Sequence, residues 1–276
     1  MGSAPEPERL AFDAARDLAV EAVRLATDAT ASREAVRKGD PFDLVTETDG
    51  RIERYLRDQV SARFPGHSFI GEEEGGADDP GAWQWIVDPI DGTLNYASGL
   101  PGAACSIGCR RDGELVVGAI GDYSAGLTYR ALAGSGKVLA GDLSREWACT
   151  PTTSPAGAAR IFLEFGWEDL DPVMLGVIEA LSSLRLRVIR MIGGAACALL
   201  HVALYGGCMF GLGLRIWDVA AGIVLAREAG RSVRLWDLGS TVHVIVGTAE
   251  DIRELAPVIE RFGARRVPPP VVQGAG

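Results

Sequence analysis

The chain has 276 residues, 47% of them apolar and 23% charged, with a formal net charge of −10. This length can bury a substantial core in one large domain or two joined halves, and the composition excludes a mostly disordered chain. The acidic balance excludes general binding to nucleic acid or to an anionic membrane, both of which need clustered Lys and Arg.

Glu8 to Lys38 reads as a helix, with Leu10, Ala14, Leu18, Ala22 and Leu25 on one face. Gly39-Asp40-Pro41 breaks it. A second helix is expected over Gly50 to Phe64, capped by Thr48 or Asp49, with Ile52, Leu56 and Val60 as its apolar stripe. His67 to Gly71 is a short apolar run, and Trp83 to Val87 a strand stopping at Asp88-Pro89. Ala104 to Arg110 and Glu114 to Ile120 make a hairpin around Arg111-Asp112-Gly113, and Leu127 to Leu132 and Lys137 to Ala140 extend the sheet.

The Thr-, Pro- and Ser-rich stretch Cys149 to Gly157 reads as a boundary. It divides an α+β half, residues 1–150, from an α/β half, residues 151–265, with a loose Pro- and Gly-rich tail at 266–276. Strands at Arg160–Phe165, Leu186–Arg190, Cys208–Leu212, Val233–Trp236 and Val242–Val246 mix with helices at Asp171–Leu184, Ala195–Tyr205, Trp217–Ala229 and Ala249–Phe262. That pattern suggests an α/β layer. Ala195 to Leu214 is the most apolar stretch, but with His201 and several glycines it reads as buried helix plus strand and not a membrane span. Met1 to Pro7 lacks the basic and apolar parts of a signal peptide. The five cysteines, Cys105, Cys109, Cys149, Cys197 and Cys208, contain no CxxC pair and read as reduced thiols of a cytoplasmic protein.

Chemistry concentrates in four segments. In Asp88-Pro89-Ile90-Asp91-Gly92-Thr93-Leu94-Asn95-Tyr96 an apolar strand runs into two carboxylates. Pro89 holds Asp88 extended, so both carboxylates can enter one space. Close anions repel unless a cation sits between them, and an oxygen-only ligand set favours a hard ion such as Mg²⁺. Gly92-Thr93 then suits close approach of backbone N–H groups to an anion. Glu72, Glu73 and Glu74 follow the run Ser68-Phe69-Ile70, although a row of glutamates is more often a solvated loop. Asp218 stands at the start of a helix, where a capping role is the ordinary one. Lys38 reads as an exposed helix-end cation, and Asp49 as a cap. Carboxylates ending several separate apolar elements match the needs of a multi-metal phosphoryl-transfer site, where cations offset the negative charge of both protein and substrate.

With these residues the chain resembles the inositol monophosphatase family, within the lithium-sensitive, fructose-1,6-bisphosphatase-like phosphatases. Asp88–Tyr96 matches its D-P-[ILV]-D-G-T-x-N-[FY] motif. Trp217–Gly222 with Glu228-Ala229-Gly230 matches W-D-x-A-A-G…E-A-G, Gly71-Glu72-Glu73 matches G-E-E, and Asp43–Asp49 matches D-L-V-T-x-x-D. The resemblance implies a layered α/β/α/β/α sandwich and a homodimer inhibited by lithium. It also implies a Mg²⁺-dependent phosphomonoesterase with two or three ions and a metal-activated water. Glu72, Asp88 and the Ile90 carbonyl would hold the first ion, and Asp88, Asp91 and Asp218 the second. Glu72, with Glu73 close by, would hold a weaker third. Gly92 and Thr93, beside Asp91, would bind phosphate, Thr93 and Glu72 would activate the water, Asp49 would support Thr93, and Lys38 would lie at the edge.

The substrate side departs from that pattern. Inositol-acting members carry a Glu where this chain has Gly211, and a hydroxyl residue where Gly193-Gly194-Ala195-Ala196 has Gly194. The second glycine of E-A-G-G is Arg231. The expected substrate is thus a small phosphorylated metabolite of the polyol, cyclitol or sugar type, with histidinol phosphate or 3′-phosphoadenosine 5′-phosphate as alternatives. A regulatory binding protein that keeps the fold is the reading from another class.

Overall fold

Helix α1 (Glu6–Thr27) buries a face of Ala11, Ala14, Ala15, Leu18, Ala19, Ala22, Val23 and Ala26. Side chains this small let the helix lie close on a sheet. The computed structural model describes residues 5–28, 31–38, 44–76, 82–152, 160–166, 170–183 and 188–263. The expected break at Gly39-Asp40-Pro41, Asp43, the 153–157 part of the boundary, positions 186 and 187 of the expected strand and the tail at 266–276 lie outside them.

The sheet under α1 has seven strands in chain order: β3 (Ser68–Gly71), β4 (Trp83–Asp91), β5 (Ala104–Arg111), β6 (Glu114–Asp122), β7 (Leu127–Leu132), β8 (Val138–Gly141) and β9 (Glu146–Ala148). β3 pairs parallel to β4 and every other pair is antiparallel. The β5–β6 hairpin turns through Asp112 and Gly113 at φ 51 and 87, the left-handed pair that matches strand twist. A second sheet has the order β11-β10-β12-β14-β13, from β10 (Arg160–Phe165), β11 (Val188–Arg190), β12 (Cys208–Leu214), β13 (Ser232–Asp237) and β14 (Val242–Gly247). β10 runs parallel to both of its neighbours. β1 (Ala35–Arg37) and β2 (Leu44–Thr46) form a small antiparallel pair of their own.

Helices fill three layers around the two sheets. α1 and α2 (Glu47–Arg63) share a core with Trp85, Val87, Ile107 and Val117 on one face of the first sheet. α5 (Ala195–Tyr205) and α6 (Ile216–Glu228) lie between the sheets, packed against Ile120 and Tyr129 on one side and Met209 and Val244 on the other. Both are apolar almost all round, as a helix buried on two faces must be. α4 (Leu170–Ser183) and α7 (Ala249–Gly263) cover the outer face of the second sheet. The result is the expected α/β/α/β/α sandwich, with a short helix, α3 (Thr93–Ser98), at the end of β4.

Several boundaries differ from the sequence expectation. The first helix stops at Thr27, where Asp28 turns to ψ 141, and Ala35–Arg37 is strand rather than helix. The second helix starts at Glu47, with Thr46 as its cap and Asp49 one turn in. Thr46 and Asp49 bond reciprocally as a capping box, which is why neither Thr48 nor Asp49 is the cap. β4 does not end at Asp88: it continues to Asp91 through a register shift, because Pro89 has no N–H for the ladder.

Close seating of α6 on the first sheet depends on two glycines. A Cβ at Gly108 would sit 2.7 Å from the Ala220 Cβ, and one at Gly118 would sit 2.4 Å from the Ala221 carbonyl oxygen. Gly118→Ala is therefore expected to destabilise the fold by about 1–3 kcal/mol, seen as a fall of several degrees in Tm. Leu10→Ala, at an exposed position of α1, should leave Tm nearly unchanged.

Candidate metal and phosphate site

The shift in β4 brings Asp88 and Asp91 to the end of the strand, both buried. Asp91 accepts the N–H groups of Ala195 at 3.1 Å and Ala196 at 2.8 Å. These are among the donors left open at the N-terminus of α5. Asp218 sits in the first turn of α6 and accepts the Arg215 N–H at 2.7 Å. One ligand oxygen from each of Asp88, Asp91 and Asp218 can be chosen so that all lie within 4.8 Å of one another. Glu72, in the turn after β3, donates its backbone N–H to Val87 at 3.2 Å, and its carboxyl reaches Asp88.

The electrostatics are unfavourable without a cation. Burial, then the charges of Glu72, Asp91 and Asp218, hold the Asp88 carboxyl well above the usual range. Burial pushes Asp91 up to about 7, against the pull of the Ala196 N–H. Asp218 lies well above its ordinary value through loss of water and the charges of Asp91 and Glu72. The Oδ1 atom of Asp88 is buried with no hydrogen-bond partner. A buried orphan acceptor among carboxylates is the donor set a hard divalent cation requires.

Around this cluster the other expected residues take separate places. Lys38 is not at a helix end: it follows β1, with its Nζ 3.3 Å from Glu72 and 2.7 Å from Glu73. Glu73, raised to about 7 mainly by burial, does not line the central cavity. The Thr93 hydroxyl is 3.0 Å from the Ile90 carbonyl and 3.4 Å from Asp49 Oδ1. Asp49 is fully buried behind it, raised by burial to about 6 and tied to the Thr46 amide at 2.8 Å and to the Thr46 hydroxyl. Gly92 caps α3 at φ 80, and a Cβ there would lie 2.6 Å from the Gly102 carbonyl oxygen and 2.9 Å from that of Gly193. Gly193, Gly194 and Ala195 line the cavity, which encloses about 890 Å³. Gly211, expected there, does not line it: its side-chain space is filled by Leu214 Cδ1, 2.6 Å from an ideal Cβ, and Val244 Cγ1 at 3.0 Å.

Three other polar residues have roles that the sequence did not assign, Asn95 having stood only as a position of the D-P-[ILV]-D-G-T-x-N-[FY] motif. The Asn95 amide donates to Gly102 at 3.2 Å and Ile192 at 2.6 Å, clasping α3 to the loop before α5. Glu53, buried in α2, accepts the N–H groups of Glu73 at 2.7 Å and Glu74 at 3.0 Å and fixes the acidic turn. Glu164 is a carboxylate in the apolar strand β10 that also lines the cavity. A lone acid among Ile161, Phe162, Leu163 and Phe165 is the signal that could have found it.

The sequence profile of the Inositol monophosphatase family matches residues 7–260. The chain belongs to the inositol monophosphatase family. It is 35% identical over 242 residues to inositol-1-monophosphatase SuhB of Mycobacterium tuberculosis, covering 83% of this chain and 82% of that protein. It is 30% identical to human inositol monophosphatase 1 over 239 residues, 82% and 83% of the two chains. The solved structure of Mycobacterium tuberculosis SuhB aligns with a TM-score of 0.72 at 32% identity, over 93% of this chain and 98% of that one. Membership makes the protein a phosphoric monoester hydrolase of a metal-dependent family. No helix among the described residues is long and apolar enough to cross a membrane.

The raised carboxyls fix the sign of a pH effect on the metal-free fold. Asp49 and Asp91 bind protons more tightly folded than unfolded, so their contribution is fully present below about pH 4, their ordinary value. It is lost as pH rises through about 6 for Asp49 and about 7 for Asp91. In EDTA, Tm is expected to fall between pH 4 and pH 8. Millimolar Mg²⁺ should raise Tm more at pH 8 than at pH 5.

Proposed function

We propose that the chain is a Mg²⁺-dependent phosphomonoesterase acting on a small polyol phosphate, inositol 1-phosphate or a related cyclitol or sugar phosphate. The convergence of Asp88, Asp91 and Asp218 around a buried, unpartnered Asp88 oxygen is the observation that carries this reading. Glu72, Asp88 and the Ile90 carbonyl are assigned to one ion and Asp88, Asp91 and Asp218 to a second. Glu72 and Glu73 stand near a weaker third. When bound, the ions offset phosphate and leaving-group charge and acidify water.

The protein's own groups then orient the reactants. Gly92 and Thr93 hold phosphate oxygens where the bare glycine lets backbone approach. Thr93, its hydroxyl fixed by Asp49, would orient the attacking water, and the Glu72 carboxylate would accept its proton. Lys38 neutralises Glu72 and Glu73 at the rim. The names of the relatives support inositol 1-phosphate as a substrate. Gly194 offers no hydroxyl and Gly211 no carboxylate, which supports a related polyol as the preferred one. The reading includes a cytoplasmic, lithium-sensitive homodimer, in keeping with the family resemblance.

Phosphate release from inositol 1-phosphate and a panel of sugar phosphates is expected with Mg²⁺ and not with EDTA. Asp91→Asn should lower turnover by at least about a hundredfold while the protein stays folded, with a Tm lower by a few degrees because Asn can accept only one of the Ala195 and Ala196 N–H groups. Release unaffected by EDTA, or a near-normal rate for Asp91→Asn, would contradict the proposal.

A further inference from the structure

Alternation along β10 sends Ile161 and Leu163 toward α4 and α7, and Phe162 toward the middle layer. Glu164 follows Phe162 to that inner side and meets the cavity, only 6% exposed. Its Oε1 accepts the Ile192 N–H at 3.1 Å, and Gly193 supplies a second backbone hydrogen bond. The side-chain charges that bear on it are those of Asp218 and Asp91, both of the same sign. The cavity lining includes Phe165, Ile192 and Leu214, with Arg215 following Leu214. Across the β10–β12 register its partner is Gly211, whose side-chain space belongs to Leu214 and Val244. Glu164 is thus the carboxylate of the cavity lining that stands outside the candidate ligand set of Glu72, Asp88, Asp91 and Asp218.

We propose that Glu164 is a specificity-determining residue: its carboxylate accepts a hydrogen bond from a hydroxyl on the alcohol half of the substrate. This rests on the phosphatase reading above and names the group that selects polyol phosphates over esters without hydroxyls. A bracket for two backbone N–H groups needs only an amide oxygen. A buried acid beside another carboxylate is a costly way to build one. A carboxylate has about four acceptor positions, so two backbone bonds leave capacity for the substrate. Burial lifts Glu164 to about 7, which a donor from the substrate would offset.

The test compares kinetics of Glu164→Ala and Glu164→Gln with Mg²⁺ on inositol 1-phosphate, glycerol 2-phosphate and phenyl phosphate. Phenyl phosphate has no hydroxyl on its alcohol half and reports whether the variants fold and keep their chemistry. Glu164→Ala also removes the bracket on Ile192 and Gly193, so phenyl phosphate is the reference: KM for the two hydroxylated esters is expected to rise by about tenfold or more beyond any change on phenyl phosphate. Glu164→Gln, which keeps an acceptor oxygen, should recover part of the loss. Equal losses on all three esters, no change on any, or a common shift in the Mg²⁺ needed for half-activation would overturn the assignment. Wild-type turnover of phenyl phosphate alone would also overturn it. No phosphate from any of the three would overturn the phosphatase reading itself.

Discussion

Asp88, Asp91 and Asp218 offer oxygens within 4.8 Å of one another in a place where water hardly reaches the first two. Repulsion among like charges grows as the local dielectric falls, so these groups cannot all ionise there unaided. The fold relieves part of that cost. The N-terminus of α5 gives Asp91 two N–H groups, and Asp218 takes one from Arg215. Asp88 Oδ1 receives nothing from the protein. The remaining deficit of positive charge is the physical basis for assigning a divalent cation to this point.

The layered architecture is what makes the convergence possible. Asp88 and Asp91 come from the first sheet, Asp218 and the α5 amides from the helices between the sheets, and Glu164 from the second sheet. Small errors in stacking would therefore move the carboxylates apart. Gly108 and Gly118 let α6 sit directly on the first sheet, and Gly222 lets α5 and α6 touch, since a Cβ there would lie 2.5 Å from Leu199. Asn95 closes the arrangement by tying α3 to the carbonyl of Ile192, while Glu164 holds the amide of the same residue. The loop that begins α5 is thus gripped from both sides of the cavity.

Much of this was readable in the chain, where local pattern and tertiary role coincide. Asp88-Pro89-Ile90-Asp91 had to be special because Pro89 interrupts an apolar strand between two acids. The buried stripe Ile52, Leu56 and Val60 followed from helical spacing. The errors arose where periodicity outlasts the element. Ala35 and Val36 continue an apolar rhythm from α1, but they pair with Thr46 and Val45 as strand. The six residues of α3 are too few to show a period, and they begin only because Gly92 adopts φ 80. Glu164 and Asn95 were left without roles for a different reason. Their partners are backbone groups at Ile192, Gly193 and Gly102, so a lone acid in an apolar strand and the Asn of a motif mark the residues without showing what they hold.

The assignment of a cation to the three aspartates can be examined without any substrate. Crystals of the protein soaked in Mn²⁺, a hard ion with strong anomalous scattering, would reveal where the metal goes. The account predicts an anomalous peak bounded by Asp88, Asp91 and Asp218, absent from crystals of Asp91→Asn. Saturating Mn²⁺ with no peak between these three side chains would contradict it.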